Sequence, residues 1–144
     1  MIEQQVPQLS QDERLERAVF VWWATFAAMV DYAREQGQSA EAITTWLGQR
    51  WSPTWDQTKG DLARIARSVA VNGMAVGGEV RGFDVREDEA VVRMSIPPAA
   101  VESGGTEYVD RAYDSYQPIM DYLDLDYSYQ HDGDVTTVRL RPRS

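Results

Sequence analysis

Apolar residues return every three or four positions through the front of the chain. Leu15, Val19, Trp22, Phe26, Val30 and Ala33 mark one stripe of a predicted helix. Ser10 and Glu13 stand at its start as a capping box, each able to satisfy an orphan backbone donor beside the other. Gly37 supplies the stop. Phe20, Trp23 and Ala27 make a second stripe, so the middle of this helix is apolar all round. Such a helix is central in its domain or is shared with a partner subunit. In the second case Phe20, Trp23 and Ala27 are the expected seam of a homodimer. The apolar run Ala18 to Val30 falls short of the roughly 20 residues that a membrane span requires, and Arg14, Arg17, Asp31 and Arg34 flank it. A buried helix is expected there, with no membrane partner.

Ser39 can cap a second helix through Ala42, Ile43, Trp46 and Leu47, ending near Gly48. A third begins at Ser52 with Pro53 in its first turn, or at Thr54 with Gln57. Trp55, Leu62, Ile65, Ala66 and Val69 line one of its faces, and Asn72-Gly73 ends it. Gly60 inside it suggests the close approach of another backbone. After Gly77-Gly78 the period drops to two. Glu79–Arg86 and Ala90–Ile96 read as strands joined by a solvated acidic turn, Glu87-Asp88-Glu89. Pro97-Pro98 stops the second strand, and Ser103-Gly104-Gly105 reads as a loop. A fourth helix is predicted over Glu107–Leu123, kinked or split by Pro118. A final hairpin carries Tyr127 and Tyr129 on one strand. It turns through His131-Asp132-Gly133-Asp134 and returns over Val135–Arg141. The fold class is therefore α+β: one antiparallel sheet of about four strands, in two hairpins, with about four helices packed on one face. A single domain over 1–144 is expected, with residues 1–9 loose.

Composition removes several functions. The chain has no cysteine, which excludes disulfides, thiol catalysis and cysteine-ligated zinc. Net charge is −9. Residues 1–72 hold 9 acids and 7 bases, and residues 73–144 hold 14 acids and 7 bases. Neither half offers the basic surface that nucleic acid or an anionic membrane needs. The opening Met-Ile-Glu-Gln-Gln lacks the features of a secretory signal. A cytoplasmic location is expected.

Phosphate loops, dinucleotide fingerprints, HExxH and GxSxG motifs are all absent. Neither a metal nor a cofactor is expected. Asp124-Leu125-Asp126 begins like a calcium loop, but Tyr129 and Val135 occupy the positions where Gly and Glu are required. His131, beside Asp132 and Asp134, reads as a general base, as part of a metal site, or as a plain polar turn residue. Aromatic density is more informative. All five tryptophans lie within residues 22–55, and six of the seven tyrosines within 108–129. Aromatic walls with a few polar tips build concave ligand sites, although aromatics also fill ordinary cores. The site residues expected on this basis are Trp46, Arg50, Trp51, Trp55, Tyr113 and Tyr116, around a small apolar or aromatic ligand. Arg50 would orient an acidic or polar group. A hollow of about 300 Å³ between helices and sheet is the requirement.

The layout of Gly77–Pro98 together with Tyr108–Leu140 is a strand pair ending in proline, then a helix leading into a hairpin. It resembles the vinyl reductase-type small-molecule sensing domains and their relatives, the aminothiazoline carboxylate hydrolase-like proteins. Members often carry cysteines near the last helix and hairpin. None is present here, so no cysteine-based role transfers. The resemblance implies ligand sensing and a homodimer. A small-molecule-binding, sensor-like domain is thus the leading reading. Two alternatives stand beside it: a small hydrolase or isomerase using carboxylates, Tyr and His131, and a dimeric structural or interaction protein without catalytic activity.

Overall fold

The computed structural model describes residues 7–143. Most of the segment expected to be loose, residues 1–6, lies outside the described residues. Helix α1 spans Gln11–Glu35. Its capping box forms as the sequence dictates: the Glu13 amide donates to Ser10 Oγ at 3.1 Å and the Ser10 amide to Glu13 Oε1 at 3.3 Å. Ser39 likewise caps α2, Ala40–Trp51.

The third helix departs from expectation. A 3₁₀ segment, Ser52–Thr58, follows α2 directly, and α3 begins only at Leu62 and runs to Ala75, capped by Asp61. Gly60 separates them at φ +81°, which no helix tolerates, and nothing approaches it within 4 Å. It is a break between two helical segments, not a site of backbone contact.

Strands β1 (Val80–Val85) and β2 (Ala90–Ser95) form the first hairpin. Strands β3 (Leu125–Asp132) and β4 (Val135–Pro142) form the second. The hairpins join through β2 and β4, giving the antiparallel order β1-β2-β4-β3. Period-two alternation sends Ala90, Val92, Met94, Val138 and Leu140 to one buried face. Arg93, Arg139 and Arg141 stay exposed. The turn expected to be wholly solvated is partly tied down, because Glu89 accepts from Arg139 at 2.8 Å. That bond, with Arg141 beside it, lowers the Glu89 pKa.

Between the hairpins lie three short helices: α4 (Pro98–Glu102), α5 (Glu107–Asp114) and α6 (Tyr116–Tyr122). The split in the predicted fourth helix falls at Ser115, three residues before Pro118. Proline lacks the N–H that would bond the carbonyl four residues back, at Asp114, and its ring crowds that carbonyl. Gly48 of α2 sits against this break, where an added Cβ would come within 2.7 Å of Pro118 Cγ.

All the helices lie on one side of the sheet, in two tiers. The inner core sets α3 and α6 on the strands, through Ile65, Val69, Ile119 and Met120 against Val92, Met94, Val138 and Leu140. The outer core sets α1 on α2, α4 and α5, through Trp23, Phe26, Ala27 and Val30 against Ile43, Leu47, Ala100 and Val109.

Candidate functional site

Three places in this fold bear on function: a hollow between the tiers, a polar cluster at the α5–hairpin junction, and the outward face of α1. The hollow measures about 340 Å³. Trp51, Trp55, Tyr113 and Tyr116 line it, together with Trp22 and Trp23. Trp46 and Arg50, expected beside them, do not. Ile43, Leu47 and Gly48 turn the inner side of α2 inward, so residues 46 and 50, one turn apart, share the outer stripe. There Trp46 is 53% exposed, and the Arg50 guanidinium lies 4.7 Å from its ring centre. Among the described residues no Arg, Lys, His, Asp or Glu lines the hollow. Burial pushes the Tyr113 and Tyr116 hydroxyls up to about 12, so both stay neutral at physiological pH. The hollow therefore offers only neutral polar side chains, Thr54, Asn72, Ser95 and Ser115 beside the tyrosines, and no charged group to pair with an anion or take up a proton.

His131 lies in strand β3 and not in the turn that follows. Asp132 and Asp134 are not its partners. Its Nε2 faces Asp110 Oδ1 at 2.6 Å, and its Nδ1 lies 2.8 Å from Thr136 Oγ1. Beside it, Tyr129 donates to Asp114 Oδ1 at 2.7 Å, and Arg111 pairs with Asp114 at 3.3 Å. The Tyr129 ring stacks on Tyr113 at 5.3 Å. A general base needs a free lone pair aimed at its substrate. Here both imidazole nitrogens are engaged, and Thr136 is fully buried. The cluster fastens α5 to the β3–β4 hairpin. Among the described residues, no three His, Asp or Glu side chains are placed to hold a metal.

Helix α1 divides the residues expected to form its seam. Trp23 and Ala27 belong to the outer core, and Trp23 is only 2% exposed, with its indole N–H donating to the Val76 carbonyl at 2.7 Å. Phe20 stays exposed in a groove with Leu15, Val19 and Met74. The face that is left uncovered is a different one. Arg14, Arg17, Val21, Ala24 and Ala28 are all exposed at alternating spacings of three and four, Glu35 follows two turns later, and Ala18, Thr25 and Tyr32 lie beside them. Sequence reasoning missed this face because three apolar stripes compete on one helix. The signal was present as the absence of any charge from Ala18 to Val30. A helix with one wet side normally carries charge there.

No family model matches the chain, and no curated protein is significantly similar to it. Its fold is similar to a solved structure. That structure is a trafficking protein particle complex subunit 3 from Naegleria fowleri, covalently bound to palmitic acid. The TM-score is 0.53 at 12% identity, covering 90% of this chain and 97% of that one. The likeness is one of fold. It corrects the resemblance drawn from the strand–helix–hairpin layout: the match is a trafficking-complex subunit, not a vinyl reductase-type or aminothiazoline carboxylate hydrolase-like domain. The sensor reading is overturned with it. Short strands and helices in a common order recur across unrelated functions, so layout without a motif does not separate such families. No helix among the described residues is long and apolar enough to cross a membrane.

Proposed function

We propose that this chain is a non-catalytic assembly subunit that binds another polypeptide through the outward face of α1. One observation carries this reading: a helix of 25 residues leaves a stripe with no charge over its central turns exposed to water. Apolar surface of that continuity marks a protein–protein contact more often than a bare exterior. The fold likeness to a subunit of a trafficking complex supports it, as does the engagement of both His131 nitrogens. Exposed Trp46 on α2 is a second candidate anchor, since tryptophan is enriched among residues that dominate binding energy.

Isolation of the chain from its own cells tests this, comparing wild type with Val21→Glu under identical conditions. At least one polypeptide, a second copy or another protein, should be held in stoichiometric amount by wild type and lost from the variant. Circular dichroism should show both forms equally folded. Equal recovery of every co-isolated protein would sink the proposal.

A further inference from the structure

We infer that the occupant of the α1 face is a second copy of this chain, lying antiparallel across a two-fold axis between Ala24 and Thr25. The inference rests on the assembly reading above and names the partner it requires.

The charges at the two ends of the stripe make the case. Arg14 and Arg17 stand at its N-terminal end, and Asp31 and Glu35 at its C-terminal end, with no charge between Ala18 and Val30. Among the described residues, Arg14, Arg17 and Glu35 enter no ion pair within the chain, whereas Arg34 is already joined to Glu107. A second copy laid antiparallel sets Arg14 against Glu35 of the other copy, and the symmetry repeats that pair. Arg17 then falls beside Tyr32 of the other copy, whose neighbour Asp31 is already held within its own chain by Tyr108 and Arg34, and Val21 meets Ala28. A parallel copy would oppose Arg14 to Arg14 and Glu35 to Glu35, which repel. The same helix thus carries both halves of an isologous contact, as a two-fold pair requires.

Size and shape agree with this. Ala18, Ala24, Thr25 and Ala28 are small, so two helix axes can approach to about 8 Å. Exposed Val21 and Tyr32 flank that crossing on each side. The acidic side chains Asp12, Glu13 and Glu16 line the neighbouring groove with Phe20 and Met74, and Arg17 stands at the border between that groove and this face. Arg14 and Glu35 leave this face locally balanced on a chain whose net charge is −9. An unrelated partner suited to the chain's overall charge would be basic, and this face offers such a partner no excess of acids.

The absence of cysteine makes disulfide trapping in the full chain direct. Cysteine at Ala24 lies next to the axis and should link to itself under mild oxidation. Cysteine at Val21 alone should not, since the two copies of that position are separated by about 10 Å along the axis. Mixed Val21→Cys and Ala28→Cys chains should link to each other. Native mass spectrometry of the unmodified chain should show a dimer. Arg14→Glu or Glu35→Arg alone should weaken it by on the order of 10-fold, and the two together should restore it. Self-linking of Val21→Cys, a monomer at tens of micromolar, or a dimer that no α1 cysteine traps would each overturn the inference. If the chain is monomeric yet Val21→Glu still loses a different co-isolated protein, the assembly reading survives and only self-pairing falls.

Discussion

The inner and outer tiers are built from similar residues, yet only one announces its inside in advance. In β2 and β4, alternation commits Val92, Met94, Val138 and Leu140 to one face, and the arginines between them to the other. A shift of one residue would bury Arg93 and Arg139, so the register has one acceptable solution. Helix α1 has no such penalty. Its middle turns are apolar in every direction, and whether Phe20, Val21 or Trp23 faces the core depends on what packs against it. The inner tier is specified by pattern, and the outer tier by shape complementarity to α2, α4 and α5. That difference predicts where substitutions should hurt and where they should be silent.

Removing the indole that orients α1 is the harshest way to test the comparison. Trp23→Ala should cost about 3–5 kcal/mol in urea unfolding, from lost burial and the orphaned Val76 carbonyl. Val21→Ala, two residues away on the face outside the monomer's core, should stay within about 0.5 kcal/mol when unfolding is followed at concentrations low enough to keep the chain monomeric. Equal losses at the two positions would mean that α1 sits differently.

Alkali probes the junction of the tiers. Tyr113 and Tyr116 are raised to about 12 by burial, while the unfolded chain ionises near about 10. Between those values the unfolded state loses protons that the folded state keeps. Stability should therefore be flat below about pH 9 and fall by about 1.4 kcal/mol per pH unit per ring above 10. Burial raises Tyr127 and Tyr129 as well, so Tyr116→Phe should remove roughly a quarter of the total slope. A urea midpoint unchanged between pH 9 and 11.5 would refute the burial of these hydroxyls.

Smaller effects sharpen the picture further. Gly48→Ala forces a methyl group against Pro118 at the α5–α6 break and should cost about 1–3 kcal/mol by thermal unfolding. Ser10→Ala removes one capping bond from α1 and should cost about 1 kcal/mol. A Gly48→Ala variant as stable as wild type would place α2 farther from α6 than the structure does.

Much of this fold was legible in the chain before its coordinates. Local chemistry decides caps and hairpins, so Ser10, Ser39 and the two strand pairs fall where propensity puts them. The pattern misleads where a residue's effect reaches beyond its own position. Gly60 reads as a helix-interior residue from its neighbours, although its left-handed φ splits the segment in two. Pro118 acts three residues upstream, through a carbonyl. His131 reads as a turn residue from its neighbours, but its partners, Asp110 and Thr136, lie 21 and 5 residues away. The aromatic wall was half legible. Trp51, Trp55, Tyr113 and Tyr116 converge on one hollow, while helical spacing carries Trp46 and Arg50 outward. No count of tryptophans separates those two groups without knowing which side of α2 is covered.

The interleaved strand order has one further outcome. Strand β2 finds its second neighbour only in β4, with Ser95 meeting Val135 across a loop that includes α4, α5 and α6. Closing a loop of about 40 residues is entropically slow compared with forming either hairpin. Strand β4 is therefore the clasp of the whole sheet, and a nascent chain that had not yet released it would present the bare edge of β2 to its surroundings.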